Sequence, residues 1–250
     1  MSAGAELTVV EGGDALAQAT ADRFVAAAVQ AVRSRGVFRV ALAGGSTPAR
    51  AYELIAADPG AGVPWADTQV FWGDERPVPP DHPDSNYRMA SETLLSRVPL
   101  PAGNLHRMRG EAQDLEAAAA GYAEELAYAF GVPTDGPPPR FDLVLLGMGP
   151  EGHTASLFPE SPVLASHAWV GAPFVPALGM RRLTLTPWVI NAAAHVVFAV
   201  GGANKAAALT AVLSGTRQPE RFPAQAIAPT SGRLEWLVEA ELARAAGIGG

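Results

Sequence analysis

The sequence contains no cysteine. That excludes a disulfide framework, a thiolate metal site and a thiol nucleophile, and it suits a reducing compartment. Lysine is nearly absent too: Lys205 stands alone among 18 lysines and arginines. No apolar run reaches the roughly 20 residues of a membrane span. The longest apolar-rich stretch, residues 15–32, is broken by Gln18, Asp22, Arg23 and Gln30 and reads as an amphipathic helix. The opening Met-Ser-Ala-Gly-Ala-Glu has no basic segment followed by an apolar one, so no signal peptide is expected. Positive charge is scarce overall. A net charge of −7 and a pI near 5.2 argue against nucleic acid or an anionic membrane as partner. An anionic substrate would therefore need a local basic island. No compact His/Asp/Glu cluster suggests a metal, so neither a metal nor another cofactor is expected. The expected setting is cytoplasmic, as a monomer or small homo-oligomer.

What is present is an ordinary globular composition, 48% hydrophobic and 17% charged, in a chain of 250 residues. That length can bury a full core, and a single domain over residues 1–250 is expected. Short apolar runs at 7–10, 38–43, 68–72, 141–146 and 195–200 read as strands, most of them buried on both faces. Residues 182–186 alternate, Arg-Leu-Thr-Leu-Thr, and read as an edge or one-sided strand. Helical patterns cover 14–35, 48–57, 85–95, 115–130, 204–213 and 234–244. Strands alternating with helices imply an α/β fold with a mostly parallel sheet covered on both faces. Residues 58–64, 77–84 and 134–139 are Pro- or Gly-rich connectors. The four prolines in 77–84 make that segment too stiff and donor-poor for a helix or central strand. No internal repeat is visible.

Four segments carry chemistry. In the first, Ala43-Gly44-Gly45-Ser46-Thr47-Pro48 follows a strand and opens a helix. Pro48 suits a first helical turn, Ser46 or Thr47 can cap it, and the glycines let a ligand approach the backbone. Free amides and the helix dipole make such a turn an anion site. In the second, Gly73-Asp74-Glu75-Arg76 follows the strand at 68–72. Three charges cannot stay unpaired in a core, so they belong at the strand's carboxyl end. Arg76 offers a rigid donor fork that matches phosphate.

The third segment, Gly147-Met148-Gly149-Pro150-Glu151-Gly152-His153-Thr154-Ala155-Ser156, follows the run 141–146. Most isolated histidines are structural or merely exposed. His153 differs because it lies in a glycine turn, at a strand's carboxyl end, with the carboxylate Glu151 two residues before it. Histidine moves protons near neutral pH. His82, His106, His167 and His195 lack that combination. The fourth, Val200-Gly201-Gly202-Ala203-Asn204-Lys205, repeats the strand–glycine–helix layout. A lysine surviving in so arginine-rich a chain suggests a site that a guanidinium cannot serve. At a helix start it works against the dipole, a cost that a bound anion would offset. The four turns can converge on one sheet edge, where open α/β sheets bind ligands.

These segments resemble the 6-phosphogluconolactonases and, more loosely, the glucosamine-6-phosphate deaminases. The glycine–histidine signature carries most of the likeness; lactonases usually have Asp-Gly-His where this chain has Glu151-Gly152-His153. Gly-Asp-Glu-Arg followed by Asp84-Ser85-Asn86-Tyr87 is similar to the lactonase pattern, whereas deaminases typically carry Asp-Glu-Tyr. The resemblance covers residues 38–232. It implies a three-layer α/β/α Rossmann-like fold akin to the deaminases and to ribose-5-phosphate isomerase, and a small-molecule sugar-phosphate lactone as partner. It also implies catalysis by His153 with Glu151, and substrate and phosphate contacts from Gly44, Gly45, Ser46, Thr47, Asp74, Arg76 and Lys205. A deaminase or isomerase on the same scaffold, with Asp74 as base, is the alternative. A sugar-phosphate binding module without catalysis is the other.

Overall fold

The computed structural model describes residues 5–58, 60 and 62–248. Residues 1–4 of the opening segment, and Pro59 and Ala61 of the connector expected at 58–64, lie outside the described residues. Six parallel strands form the central sheet: β1 (Ala5–Val10), β2 (Phe38–Leu42), β3 (Thr68–Trp72), β5 (Leu143–Leu146), β10 (His195–Val200) and β11 (Arg233–Glu239). Their spatial order is β1-β11-β10-β5-β2-β3. The chain steps outward from β2 to the edge strand β3, then returns past β2 to β5. The reversal of order lies between β2 and β5, where a parallel sheet opens a crevice at its carboxyl end.

Helices cover both faces. On one lie α1 (Gly12–Arg35), α2 (Ser46–Ala57) and α3 (Asn86–Thr93). Leu16, Ala17, Thr20, Ala21, Phe24, Ala28 and Ala31 form the buried stripe of α1 at helical spacing. Phe24 packs edge-to-face on Phe38 at 5.4 Å, and full burial of such a side chain is worth about 1.5–3 kcal/mol. Gly36 then closes α1 in the left-handed region (φ 74°), donating its N–H to Val32 O. On the opposite face lie α4 (Leu115–Phe130), α5 (Pro187–Ile190), α6 (Ala206–Ser214) and α7 (Ala240–Ala245). Asp114 caps α4 by accepting from Glu116 N and Ala117 N, both at 3.0 Å.

A second sheet sits against that face. It is antiparallel, ordered β4-β9-β6, from β4 (Asp74–Glu75), β9 (Leu183–Leu185) and β6 (Val170–Gly171). A two-stranded ribbon, β7 (Phe174–Val175) with β8 (Met180–Arg181), extends it.

Two expectations are corrected. The segment 234–244 is not one helix: its first part is β11, and only α7 follows. The Leu, Glu and Ala content favours helix locally, but the chain fills the slot between β1 and β10. Glu235 is tolerated there because Arg23 reaches it at 2.7 Å and His195 Nε2 lies 3.3 Å away. The alternating segment 182–186 is not an edge or one-sided strand either. Its core, β9, is the middle strand of the small sheet and is buried throughout. Its polar positions are bonded inside, Thr186 Oγ1 donating to Ala168 O at 2.7 Å and Thr184 Oγ1 to Leu185 O at 3.0 Å.

Candidate active site

The glycine turns after β2, β3 and β5 open onto one cleft of about 310 Å³ at the carboxyl end of the sheet. The turn after β2 is rigidly held. The Tyr52 hydroxyl donates to Ala43 O and accepts from Ala43 N, both at 3.0 Å, which fixes the strand end. Gly44 then passes so close to Asn86 that a Cβ would sit 1.8 Å from its Oδ1. Gly45 adopts φ 107°, a conformation few residues but glycine tolerate. Among the described residues no side chain caps α2, and its first amides, at Ser46 and Thr47, have no acceptor and border the cleft.

The turn after β5 carries the histidine. Gly149 N–H donates to His153 O at 2.9 Å, and Gly152 turns back at φ 85° to donate to Gly149 O at 3.0 Å. Thr154 Oγ1 donates to Gly147 O at 2.8 Å. The His153 ring stacks on Phe158 at 4.3 Å. Its Nδ1 is buried, 2.9 Å from Glu151 Oε1, but off the line of a well-formed hydrogen bond. The longer glutamate arm thus reaches the imidazole by distance and misses it in direction. Side-chain exposures of 26% for His153 and 44% for Glu151 leave the imidazole reachable from the cleft.

The small sheet supplies the opposite wall. Gly73 is the crossover: its N–H donates to Leu42 O of β2 at 2.9 Å and its carbonyl accepts from Leu185 N of β9 at 2.8 Å. Asp74, 9% exposed, then faces the cleft with both oxygens engaged. Ser156 Oγ donates to Oδ2 at 2.7 Å and Asn86 Nδ2 to Oδ1 at 3.2 Å. The charged triplet expected at a strand's carboxyl end is there, but it has separate tasks. Glu75 is buried and accepts from the backbone N–H groups of Arg76, Asn86 and Tyr87, each at 2.8 Å, so it anchors the start of α3. Burial pushes the Glu75 pKa up, against those three donors. Arg76 lines the cleft and donates through Nη1 to Asp84 O, which ties it to the proline-rich segment.

Lys205 reaches the same cleft from a 3-10 turn ahead of α6. Burial holds its pKa below the ordinary value, against a weaker pull from Glu239. Among the described residues its ammonium has no hydrogen bond or ion pair. A half-buried, unpaired cation is a site waiting for an anion. Every residue expected at the site except Glu151 thus lines the cleft, and Glu151 stands behind His153. The other histidines lie elsewhere: His82 Nδ1 accepts from Asp84 N, and His106 pairs with Glu125 at 2.9 Å while stacking on Phe71. Sequence reasoning missed the parts that only tertiary contact assembles, namely Asn86 as a cleft residue, Ser156 as the donor to Asp74, and Tyr52 as the brace. The only local signal was Ser85-Asn86, read as a helix start. Ser85 does cap α3, accepting from Arg88 N.

The chain matches the family described as glucosamine-6-phosphate isomerases/6-phosphogluconolactonase over residues 11–236. It is 44% identical, over 84% of its own length and 85% of the relative's, to the 6-phosphogluconolactonase of Synechocystis sp.. The 6-phosphogluconolactonase of Thermotoga maritima superposes with a TM-score of 0.80 at 30% identity, covering 94% of this chain and 99% of that one. A monomeric glucosamine-6-phosphate deaminase shares the fold at 21% identity and a TM-score of 0.78, covering 96% and 99%. On these matches, which span most of the chain, the protein belongs to the glucosamine-6-phosphate isomerase/6-phosphogluconolactonase family.

Proposed function

We propose that this chain hydrolyses 6-phospho-D-glucono-1,5-lactone to 6-phospho-D-gluconate, the second step of the oxidative pentose phosphate pathway, as one catalytic domain. The observation that carries the reading is an imidazole backed by a carboxylate at 2.9 Å, set in a cleft that also holds Arg76 and, among the described residues, unsatisfied amides and an unpaired lysine. The relatives from Synechocystis and Thermotoga bear the lactonase name. The absence of cysteine suits a reducing, cytoplasmic setting.

The amides of Gly44, Gly45, Ser46 and Thr47, with Arg76 and Lys205, hold the phosphate remote from the reacting carbon. Remote binding positions the lactone carbonyl, and positioning lowers the barrier. Glu151 beside Nδ1 favours the proton on that nitrogen, which leaves His153 Nε2 as the base. Nε2 takes a proton from water as its oxygen bonds to C1. The carbonyl electrons move to the oxygen, and glycine-turn amides stabilise the oxyanion. The tetrahedral intermediate collapses with cleavage of the bond from C1 to the ring oxygen. His153 returns its proton to that oxygen, and Glu151 stabilises the imidazolium meanwhile. The carboxylic acid formed then ionises. Asp74 positions the wall through Ser156 and Asn86. The same engagement of both its oxygens argues against Asp74 as the free base that a deaminase would need.

The test generates the lactone in situ with glucose-6-phosphate dehydrogenase and follows 6-phosphogluconate against spontaneous ring opening. The wild type should accelerate opening, and His153→Ala should lose about 10²–10⁴-fold while still binding product. No acceleration by the wild type would overturn the reading; ammonia release from glucosamine 6-phosphate would then point to the deaminase branch.

A further inference from the structure

The small sheet carries an arginine that the chemistry above does not use. In the β4–β9 ladder Asp74 faces Thr184 and Glu75 faces Leu183. Continued one step past those pairs, the register sets Arg182 opposite Arg76, and Arg76 acts on Arg182 as a neighbouring like charge. Arg182 N–H donates to Pro173 O at 3.0 Å, which holds the strand on its other side, toward β6. Residues directly opposite each other put their side chains on one face, and like charges so placed are destabilising. Positions two apart on a strand share a face, so Asp74, Arg76 and Arg182 stand on the same side. Asp74 and Arg76 line the cleft. Arg182 is close enough for both charges to act on it, and among the described residues its buried Nε and Nη1 have no hydrogen-bond partner. Burial, with Arg76 beside it, lowers its pKa.

Two guanidiniums side by side, one with orphaned donors, is an arrangement that a protein keeps when an anion belongs between them. Among the described residues Arg182 holds no carboxylate: Asp74 is taken by Ser156 and Asn86, and Glu75 by backbone amides. We infer that Arg182 and Arg76 form a cross-strand clamp for the phosphate of the substrate, with Arg182 setting the site's preference for a dianion over a neutral sugar lactone. This rests on the lactonase reading. Arg76 is tethered to Asp84 O and supplies a fixed edge of the clamp. Arg182 supplies the second positive charge of the clamp from beside the cleft.

The experiment compares wild type, Arg182→Met, which keeps the length without the charge, and Arg182→Lys. Inorganic phosphate and 6-phosphogluconate are the probes, read by calorimetry and by thermal midpoint with and without phosphate. Arg182→Met should weaken 6-phosphogluconate binding by about 10–100-fold, as loss of hydrogen bonds to a charged group does. Its KM should rise with kcat nearly kept, and its midpoint in phosphate-free buffer should be no lower than wild type, because the like-charge pair is relieved. Phosphate should raise the wild-type midpoint far more than that of the variant, with Arg182→Lys in between. Wild-type affinity in Arg182→Met would overturn the inference, most plainly if its midpoint without phosphate also fell. If the wild type still hydrolyses the lactone in that case, only the clamp is lost. A wild type that binds phosphate through Arg182 without turning over the lactone keeps the clamp and overturns the functional reading. A wild type that does neither overturns both.

Discussion

The two sheets of this molecule serve the cleft in opposite ways. The parallel sheet contributes glycine turns whose backbone borders the cavity, and the segments after β5 and β10 also carry His153 and Lys205 into it. The small antiparallel sheet contributes side chains: Asp74 from β4 and Arg76, just past its end, both line the cleft. The two are stitched by Gly73, whose backbone bonds one sheet on each side, and by Asn86, which sits against Gly44 and donates to Asp74. A glycine turn can be recognised from a few consecutive residues because its constraint is local. A wall built from β4, β9 and the Ser156 loop joins positions about a hundred residues apart, and no local pattern encodes it.

The contrast can be broken from either side. Loss of the His153 imidazole is the largest expected effect and removes the chemistry outright. Next is Gly149→Ala on the parallel-sheet side. The new Cβ would lie 2.1 Å from His153 Cε1 and 2.2 Å from Nδ1, so the ring must move. Displacement on that scale costs about 10²-fold in kcat; steady-state kinetics beside unchanged product binding would show it. On the small-sheet side, Asp74→Ala strands the Ser156 hydroxyl in a buried wall and leaves Asn86 only its bond to the Asp74 carbonyl. Urea unfolding should show a loss of about 1–3 kcal/mol for such unsatisfied groups, with a fall in turnover.

Lys205→Met should raise KM about tenfold, equal to roughly 1.4 kcal/mol of binding, and leave kcat nearly intact. The pH dependence sharpens this. Burial holds the Lys205 pKa below 10.5, so its charge is lost at lower pH than that of a solvated lysine. Phosphate affinity should therefore weaken as pH rises toward that lowered value, and binding measured from neutral to alkaline pH should lack this limb in Lys205→Met. Smallest is Glu151→Asp, which restores the usual lactonase acid. The shorter arm changes the angle at Nδ1 while keeping the charge, so kcat should shift by only a few-fold. A loss as large as that of His153→Ala would show that the glutamate's reach is essential here.

The sequence by itself determined the alternation of strands and helices, the glycine turns and the histidine between them. Those features follow from short-range rules: apolar runs bury, glycine permits left-handed turns, and free amides collect at helix starts. Residues 115–130 matched α4 end to end because Asp114 caps it and Gly131 closes it at φ 66°. The sequence misled where local preference and tertiary slot disagree. Leu234 to Val238 carries good helix formers, yet the gap between β1 and β10 needed a strand, and Arg23 and His195 made Glu235 tolerable inside it. Only the tertiary structure decided the small sheet: that 182–186 is a buried middle strand, that Asp74 is bonded on both oxygens, and that Thr184 stands across from Asp74. Strand register depends on which segments meet in space, and a pairing between residues about a hundred positions apart leaves no mark within either segment alone.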